Sequence, residues 1–186
     1  AGYTIIKEVE SLGRILDSNR LGFIAVLGGA KVSDKIGVIE ALLGKVERLL
    51  IGGAMAYTFL VARGIDVGAS RVESEHVHTA QRILKLASER GVKIGLPVDH
   101  LCAANFASDA VAQKIDGSSV PNELMGLDIG PQTAEAYRSV LTEARTVFWN
   151  GPMGVFEFSQ FASGTRAIAD ALGECAGWTV VGGGDS

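Results

Sequence analysis

Gly28-Gly29-Ala30-Lys31-Val32-Ser33-Asp34-Lys35 follows the apolar run Phe23-Ile24-Ala25-Val26-Leu27 and leads into a pattern that puts Ile36, Ile39 and Leu43 on one helical face. A strand that stops at two glycines and turns into a helix is a common joint of parallel α/β units. It is also suited to receiving an anion. Without a Cβ the backbone approaches a ligand closely, and a helix start offers unpaired N–H groups and the positive end of its dipole. Lys31 and Lys35, four apart, would add charge on one side of that start. The stretch alone leaves both readings open, structural joint and phosphate site. It is neither the G-x-x-x-x-G-K-[ST] loop nor the G-x-G-x-x-G fingerprint, so a nucleotide here would be held differently.

Outward from this stretch the arrangement repeats. Arg48-Leu49-Leu50-Ile51 stops at Gly52-Gly53 before a helical pattern over residues 54–63 closed by Gly64. Thr146-Val147-Phe148-Trp149 stops at Asn150-Gly151-Pro152-Met153-Gly154 before a helix over residues 164–172, and Thr179-Val180-Val181 stops at Gly182-Gly183-Gly184-Asp185-Ser186. Between these units, Ser74 caps a helix with Val77, Ala80, Leu84 and Ala87 on its inner face, and residues 92–96 follow as a strand broken by Pro97. Residues 133–144 read as a helix with Ala136, Val140 and Ala144 inward, and residues 111–115 as a strand before a loop over 117–123. Ile5, Val9, Leu12 and Leu16 place one amphipathic helix ahead of the first strand. Strands alternating with helices through right-handed crossovers predict an α/β fold, a doubly wound parallel sheet with helices on both faces, a Rossmann-like three-layer sandwich. Ligands of such sheets lie across the carboxyl ends of the strands, where the winding reverses. All four glycine turns fall on that edge, which favours the nucleotide or phosphate reading.

Composition narrows the classes. The chain has 186 residues, 47% of them hydrophobic, enough for one domain with a substantial core. No apolar segment approaches the roughly 20 residues of a membrane span. A net charge of −4 supplies no global field for nucleic acid or anionic membrane, so any phosphate specificity is local. Cys102 and Cys175 form no framework, and the first residues do not read as a secretory leader, so a reducing, cytoplasmic setting is expected, with a monomer as the working unit. His76, His78 and His100 lack metal-ligand spacing with either cysteine. Phe148, Trp149, Met55 and Met153 read as packing residues and Asp128 as a structural residue in the turn before Gly130. Asp99 and His100 are neighbours that point apart on an extended strand.

LGGAKVSDKI, IGG followed by MAYTFL, MGLDIGP, FWNGPMGVFE and VVGGGDS occur in that order, and together they closely resemble phosphoglycerate kinase over essentially the whole chain. The resemblance implies reversible, magnesium-dependent phosphoryl transfer between 1,3-bisphosphoglycerate and ADP, giving 3-phosphoglycerate and ATP. It implies that residues 21–186 form the C-terminal, nucleotide-binding lobe, incomplete at its C-terminus, and that residues 1–20 are similar to the helix connecting the two lobes. Carried over by motif, Gly29, Ala30, Lys31 and Lys35 would face the nucleotide phosphates, with Lys31 and Lys35 catalytic. Gly52, Gly53 and Gly130 would belong to the adenine slot, and Asn150, Gly151 and Pro152 would line the phosphate and sugar region. Val155 would pack on the base and Glu157 would accept from the ribose hydroxyls. Gly183, Gly184, Asp185 and Ser186 would close the site, with Asp185 holding Mg2+.

Two small departures stand out: Ala54 where the family commonly has a third glycine, and Leu21-Gly22 where it commonly has Arg-Pro. A larger departure is the expected absence of an N-terminal lobe, which in the family binds the phosphoglycerate, and of a glycine-rich segment after Ser186. On that reading the isolated chain binds nucleotide and does not turn over. A non-catalytic nucleotide-binding or regulatory module of the same fold is the alternative from another class, and a purely structural remnant is the third.

Overall fold

A computed structural model of the chain describes residues 6, 7, 10 and 21–183. In chain order the elements are β1 (Phe23–Leu27), α1 (Ile36–Leu42), β2 (Arg48–Ile51), α2 (Met55–Ala62), α3 (Val77–Glu89), β3 (Lys93–Gly95), β4 (Asp99–Ala103), β5 (Gln113–Asp116), β6 (Met125–Ile129), α4 (Pro131–Thr142), β7 (Thr146–Asn150), α5 (Ser163–Glu174) and β8 (Trp178–Gly182). Five strands form one sheet in the order β3-β2-β1-β7-β8, every pair parallel. The chain winds outward from β1 to β3 in one direction, then starts again at β7 on the other side of β1. The reversal of winding lies between β1 and β7.

Side-chain alternation along β1 sorts the two faces. Phe23, Ala25 and Leu27 pack with Val38, Ile39 and Leu42 of α1, Phe59 and Leu60 of α2, and Ala80, Ile83 and Ala87 of α3. Ile24 and Val26 pack on the other side with Tyr137 and Leu141 of α4 and Ile168 and Ala171 of α5. Every residue of β1 is buried because both faces are covered, which is why the strand reads as an unbroken apolar run. Each such side chain contributes about 1.5–3 kcal/mol by leaving water. The three-layer expectation holds.

Four features differ from the sequence expectations. Helix α4 turns Thr133, Tyr137 and Leu141 inward, whereas Ala136, expected on the inner face, is exposed. Residues 28–35 are turns rather than a helix start: α1 begins at Ile36, with Lys35 as its flanking residue and the Lys35 N–H bonded to the Val32 carbonyl at 2.8 Å. Lys31 and Lys35 therefore do not share a helix. Ser74 starts a single 3-10 turn, and α3 follows from Val77. Most consequentially, β5-β4-β6 form a separate antiparallel sheet between β3 and α4. Of this sheet the extended stretch at Asp99-His100 and a strand over residues 111–115 were expected, but not their antiparallel pairing, and the second strand runs instead from Gln113 to Asp116. Asp128, expected in a turn, lies within β6. The small sheet is masked in the sequence because its strands bury Asp99, His100 and Asp128, each at most 1% exposed. The predicted connecting helix over residues 1–20 falls mainly outside the described residues, of which Ile6 packs against the α1–α3 face. Among the described residues no helix is long and apolar enough to cross a membrane.

Candidate functional site

Three glycine turns on the carboxyl edge of the main sheet are stitched to one another through their backbones. The Gly28 N–H donates to the Asn150 carbonyl at 2.9 Å and Gly29 N–H to the Pro152 carbonyl at 3.0 Å. Gly53 N–H donates to the Met153 carbonyl at 2.9 Å, and Met55 N–H to the Gly29 carbonyl at 3.1 Å. Such close backbone packing leaves no room for side chains. A Cβ on Gly53 would lie 2.5 Å from the Gly29 nitrogen, with φ at +68°, and one on Gly151, at φ +94°, would overlap the Gly28 carbonyl. These glycines are demanded by the fold at the turn-to-turn contacts, a role separate from any close approach of a ligand.

Beside this junction opens a cavity of about 560 Å³, a size suited to a small-molecule ligand. Of the residues singled out in the sequence it gathers Gly29, Ala30, Gly53, Pro152, Val155 and Glu157. Val155 is brought there because its N–H pairs with the Leu127 carbonyl at 2.8 Å. Lys31 is exposed in the loop between β1 and α1. Lys35 crosses the reversal point: its Nζ donates to Oδ1 of Asn150, the last residue of β7. Asn150 is 1% exposed, and its Nδ2 has no hydrogen-bond partner among the described residues. A buried amide donor without a protein acceptor costs about 1–3 kcal/mol, and an acceptor oxygen of a phosphate or sugar would relieve it.

The remaining predicted residues are distributed as follows. Gly52 is buried, and a Cβ there would overlap Met153. Gly130 lies beneath the Asp99 carboxylate and lines a different cleft, of about 590 Å³, between α4 and α5. There Asp99 accepts the Gln132 N–H at 2.9 Å, the Thr133 N–H at 2.8 Å and the Thr133 hydroxyl at 2.6 Å, which caps α4. Gly183 follows β8 with φ at +89°, and Gly184, Asp185 and Ser186 lie outside the described residues. The Mg2+ ligand suggested by the resemblance is therefore not tested by this geometry. Among the described residues, Glu73, Glu75 and His76 bring ligand-type atoms within 4.8 Å of one another.

Sequence reasoning missed Tyr57, Phe106, Gly126 and Leu127 of the cavity's lining, and it read two more, Asp128 and Met153, as structural and packing residues only. Tyr57 hydrogen-bonds His100 Nδ1 at 3.1 Å while His100 Nε2 meets the Ser118 carbonyl at 3.0 Å. A carbonyl only accepts, so Nε2 carries the proton and Nδ1 accepts from the tyrosine. Burial lowers the pKa of His100 and, together with the charge of neighbouring groups, keeps the Tyr57 hydroxyl protonated. Asp128 is pushed up to about 7, chiefly by burial, against hydrogen bonds from Gly164, Ile129 and Ser163. The one legible signal for the missed set was MGLDIGP, which holds Gly126, Leu127 and Asp128 in a row.

Comparison with known proteins agrees with this architecture. The family model described as phosphoglycerate kinase matches residues 1–186. A phosphoglycerate kinase of Chloroflexus aurantiacus is 53% identical over 189 residues, covering 100% of this chain and 47% of the relative. One of Moorella thermoacetica is 52% identical over 186 residues with the same coverage. Among solved structures, the phosphoglycerate kinase from Coxiella burnetii superposes with a TM-score of 0.89 at 41% identity, covering 97% of this chain and 46% of that one. The chain spans about half the length of the curated relatives it matches.

Proposed function

The chain belongs to the phosphoglycerate kinase family, and on that premise we propose that it is the nucleotide-binding lobe of an enzyme transferring a phosphoryl group reversibly between 1,3-bisphosphoglycerate and ADP. The observation that carries this reading is the meeting of Lys35 and the buried Asn150 amide across the reversal point of the sheet, beside a cavity of about 560 Å³. Phosphoryl transfer leaves a protein little covalent work, so catalysis is positioning plus stabilisation of charge on the transferring group. Lys35 and the Asn150 amide hold the phosphate chain at the carboxyl edge. Lys31, free of a helix and exposed, reaches the transferring phosphoryl group. Val155 packs on the base inside the cavity, and Glu157 at its rim accepts from the ribose hydroxyls. Asp185 would hold the magnesium ion, which would supply charge neutralisation at the phosphates. The phosphoglycerate is held by the part of the family's length that this chain does not span, so the chain by itself binds Mg-ADP without turnover.

Calorimetric titration with Mg-ADP tests the first half of this reading: saturable heat is expected, and none would leave a structural module. Turnover is tested in a protein carrying this lobe together with the remaining half of the family's length. There Lys31→Ala should lower kcat by about 10²–10³. Nucleotide binding with no phosphoglycerate-dependent turnover in that complete protein would favour a non-catalytic module.

A further inference from the structure

The loop bearing Lys31 and Lys35 has no helix of its own to fix it, and a single carboxylate forty residues away holds its middle. Ser33 offers two donors, and Glu73 has an oxygen for each: the Ser33 hydroxyl donates to Oε1 at 2.6 Å and its N–H to Oε2 at 3.2 Å. Glu73 is anchored in turn, because its N–H donates at 3.1 Å to Oγ1 of Thr58, a residue of α2 that is 1% exposed. The Glu73 carbonyl accepts the His76 N–H at 2.9 Å, fastening it to the turn that opens α3. Next to Ser33, Val32 is fully buried, so the loop is pinned on one side by an apolar side chain and on the other by this carboxylate. The two lysines flank the pinned pair in sequence.

We propose that Glu73 is a positioning residue: it latches the loop through Ser33 and so sets Lys31 and Lys35 where they meet the phosphate chain of a nucleotide. This rests on the nucleotide reading above. The carboxylate accepts from both Ser33 donors through charge-assisted bonds, whereas a carboxamide keeps both contacts only as weaker neutral bonds, with the Ser33 hydroxyl turned to accept from its N–H₂. The ionised form of Glu73 is the one the site selects. Burial works to raise the pKa of Glu73, but hydrogen bonds from Ser33 and Val32 and the nearby His76 outweigh it and hold the group below the ordinary glutamate value.

The experiment compares the chain with Glu73→Gln and Ser33→Ala in two measurements. The first is amide hydrogen exchange of the free proteins. Faster exchange over residues 31–35 in Glu73→Gln, with α2 and α3 unchanged, is expected, and unchanged exchange there overturns the latch whatever the ligand. The second is calorimetric affinity for Mg-ADP and for adenosine. Glu73→Gln should weaken Mg-ADP by roughly tenfold, the scale of one hydrogen bond to a charged group, and leave adenosine unchanged. Equal weakening of both ligands would mean that Glu73 merely supports the fold, and overturns the positioning role. Ser33→Ala should reproduce the loss, and adding it to Glu73→Gln should cost nothing further. If the unsubstituted chain gives no heat with Mg-ADP, the nucleotide reading fails and takes the phosphate role with it, while the exchange result still decides the latch.

Discussion

Raising the pH from about 5 to 8 should destabilise this protein through one carboxyl group, Asp128. Its two oxygens are enclosed at the head of α5, where they accept the Gly164 N–H at 2.8 Å, the Ile129 N–H at 2.9 Å and the Ser163 hydroxyl at 3.2 Å. Glycines at 154 and 164 leave the space it occupies, since a Cβ at either would overlap its carboxyl group. Burial pushes its pKa to about 7, with those hydrogen bonds opposing. In the unfolded chain the group has an ordinary aspartate value, so between that value and about 7 the folded form binds more protons. The associated stability is fully present below the ordinary value and is lost as pH rises through the folded one. With a folded pKa of about 7, the loss between pH 5 and pH 8 is roughly 2.5 kcal/mol. Urea unfolding of the chain and of Asp128→Asn, followed by circular dichroism at intervals across that range, isolates the effect. All other titrating groups are shared and cancel in the difference, and the misplaced amide of the variant adds only a constant offset. The unsubstituted chain should lose about that amount relative to Asp128→Asn. Parallel stability curves, or a relative gain at high pH, would refute the reasoning.

Two further outcomes follow from the same packing. Gly53→Ala places a Cβ at φ +68° and 2.5 Å from the Gly29 nitrogen, so it should cost about 3 kcal/mol or more by chemical denaturation, part of it the αL penalty of about 1–2 kcal/mol and the rest turn displacement; a loss below about 1 kcal/mol would mean that the turns move apart freely. Asp99→Ala strips the cap from α4 and strands the buried Thr133 N–H, so a loss of about 2–4 kcal/mol is expected, with exchange rising first at Gln132 and Thr133; an unaltered midpoint would show that water replaces the carboxylate.

How much of this was legible in the sequence depends on whether the deciding interactions are local. The apolar run of β1, the positions of α3, α4 and α5, and the glycine stops after β1, β2 and β7 are all periodic or nearest-neighbour signals, although the inward face of α4 was misjudged, Tyr137 and Leu141 being buried where Ala136 and Val140 were expected. From them followed the parallel sheet, its two covered faces and the edge that carries the site. The motif WNGPMGVFE likewise set Asn150, Pro152, Val155 and Glu157 on one turn, and the structure brings Pro152, Val155 and Glu157 to the cavity. The antiparallel sheet was hidden because its strands are short and bury charge. Asp99 is acceptable at 0% exposure only because Gln132 and Thr133, more than thirty residues on, supply its donors.

The opening stretch divides along the same line. Its two glycines and two lysines mark an anion-receiving turn on the carboxyl edge, and sequence alone determines that much because glycine sterics and lysine charge belong to single residues. That the turn is not helical, that Lys35 reaches Asn150, that Gly53 packs against the Gly29 backbone, and that Glu73 grips Ser33 were decided only by tertiary structure. Each of those contacts joins residues from 24 to 115 positions apart. No local propensity encodes such a pairing; it exists only once the sheet has set its strand ends side by side.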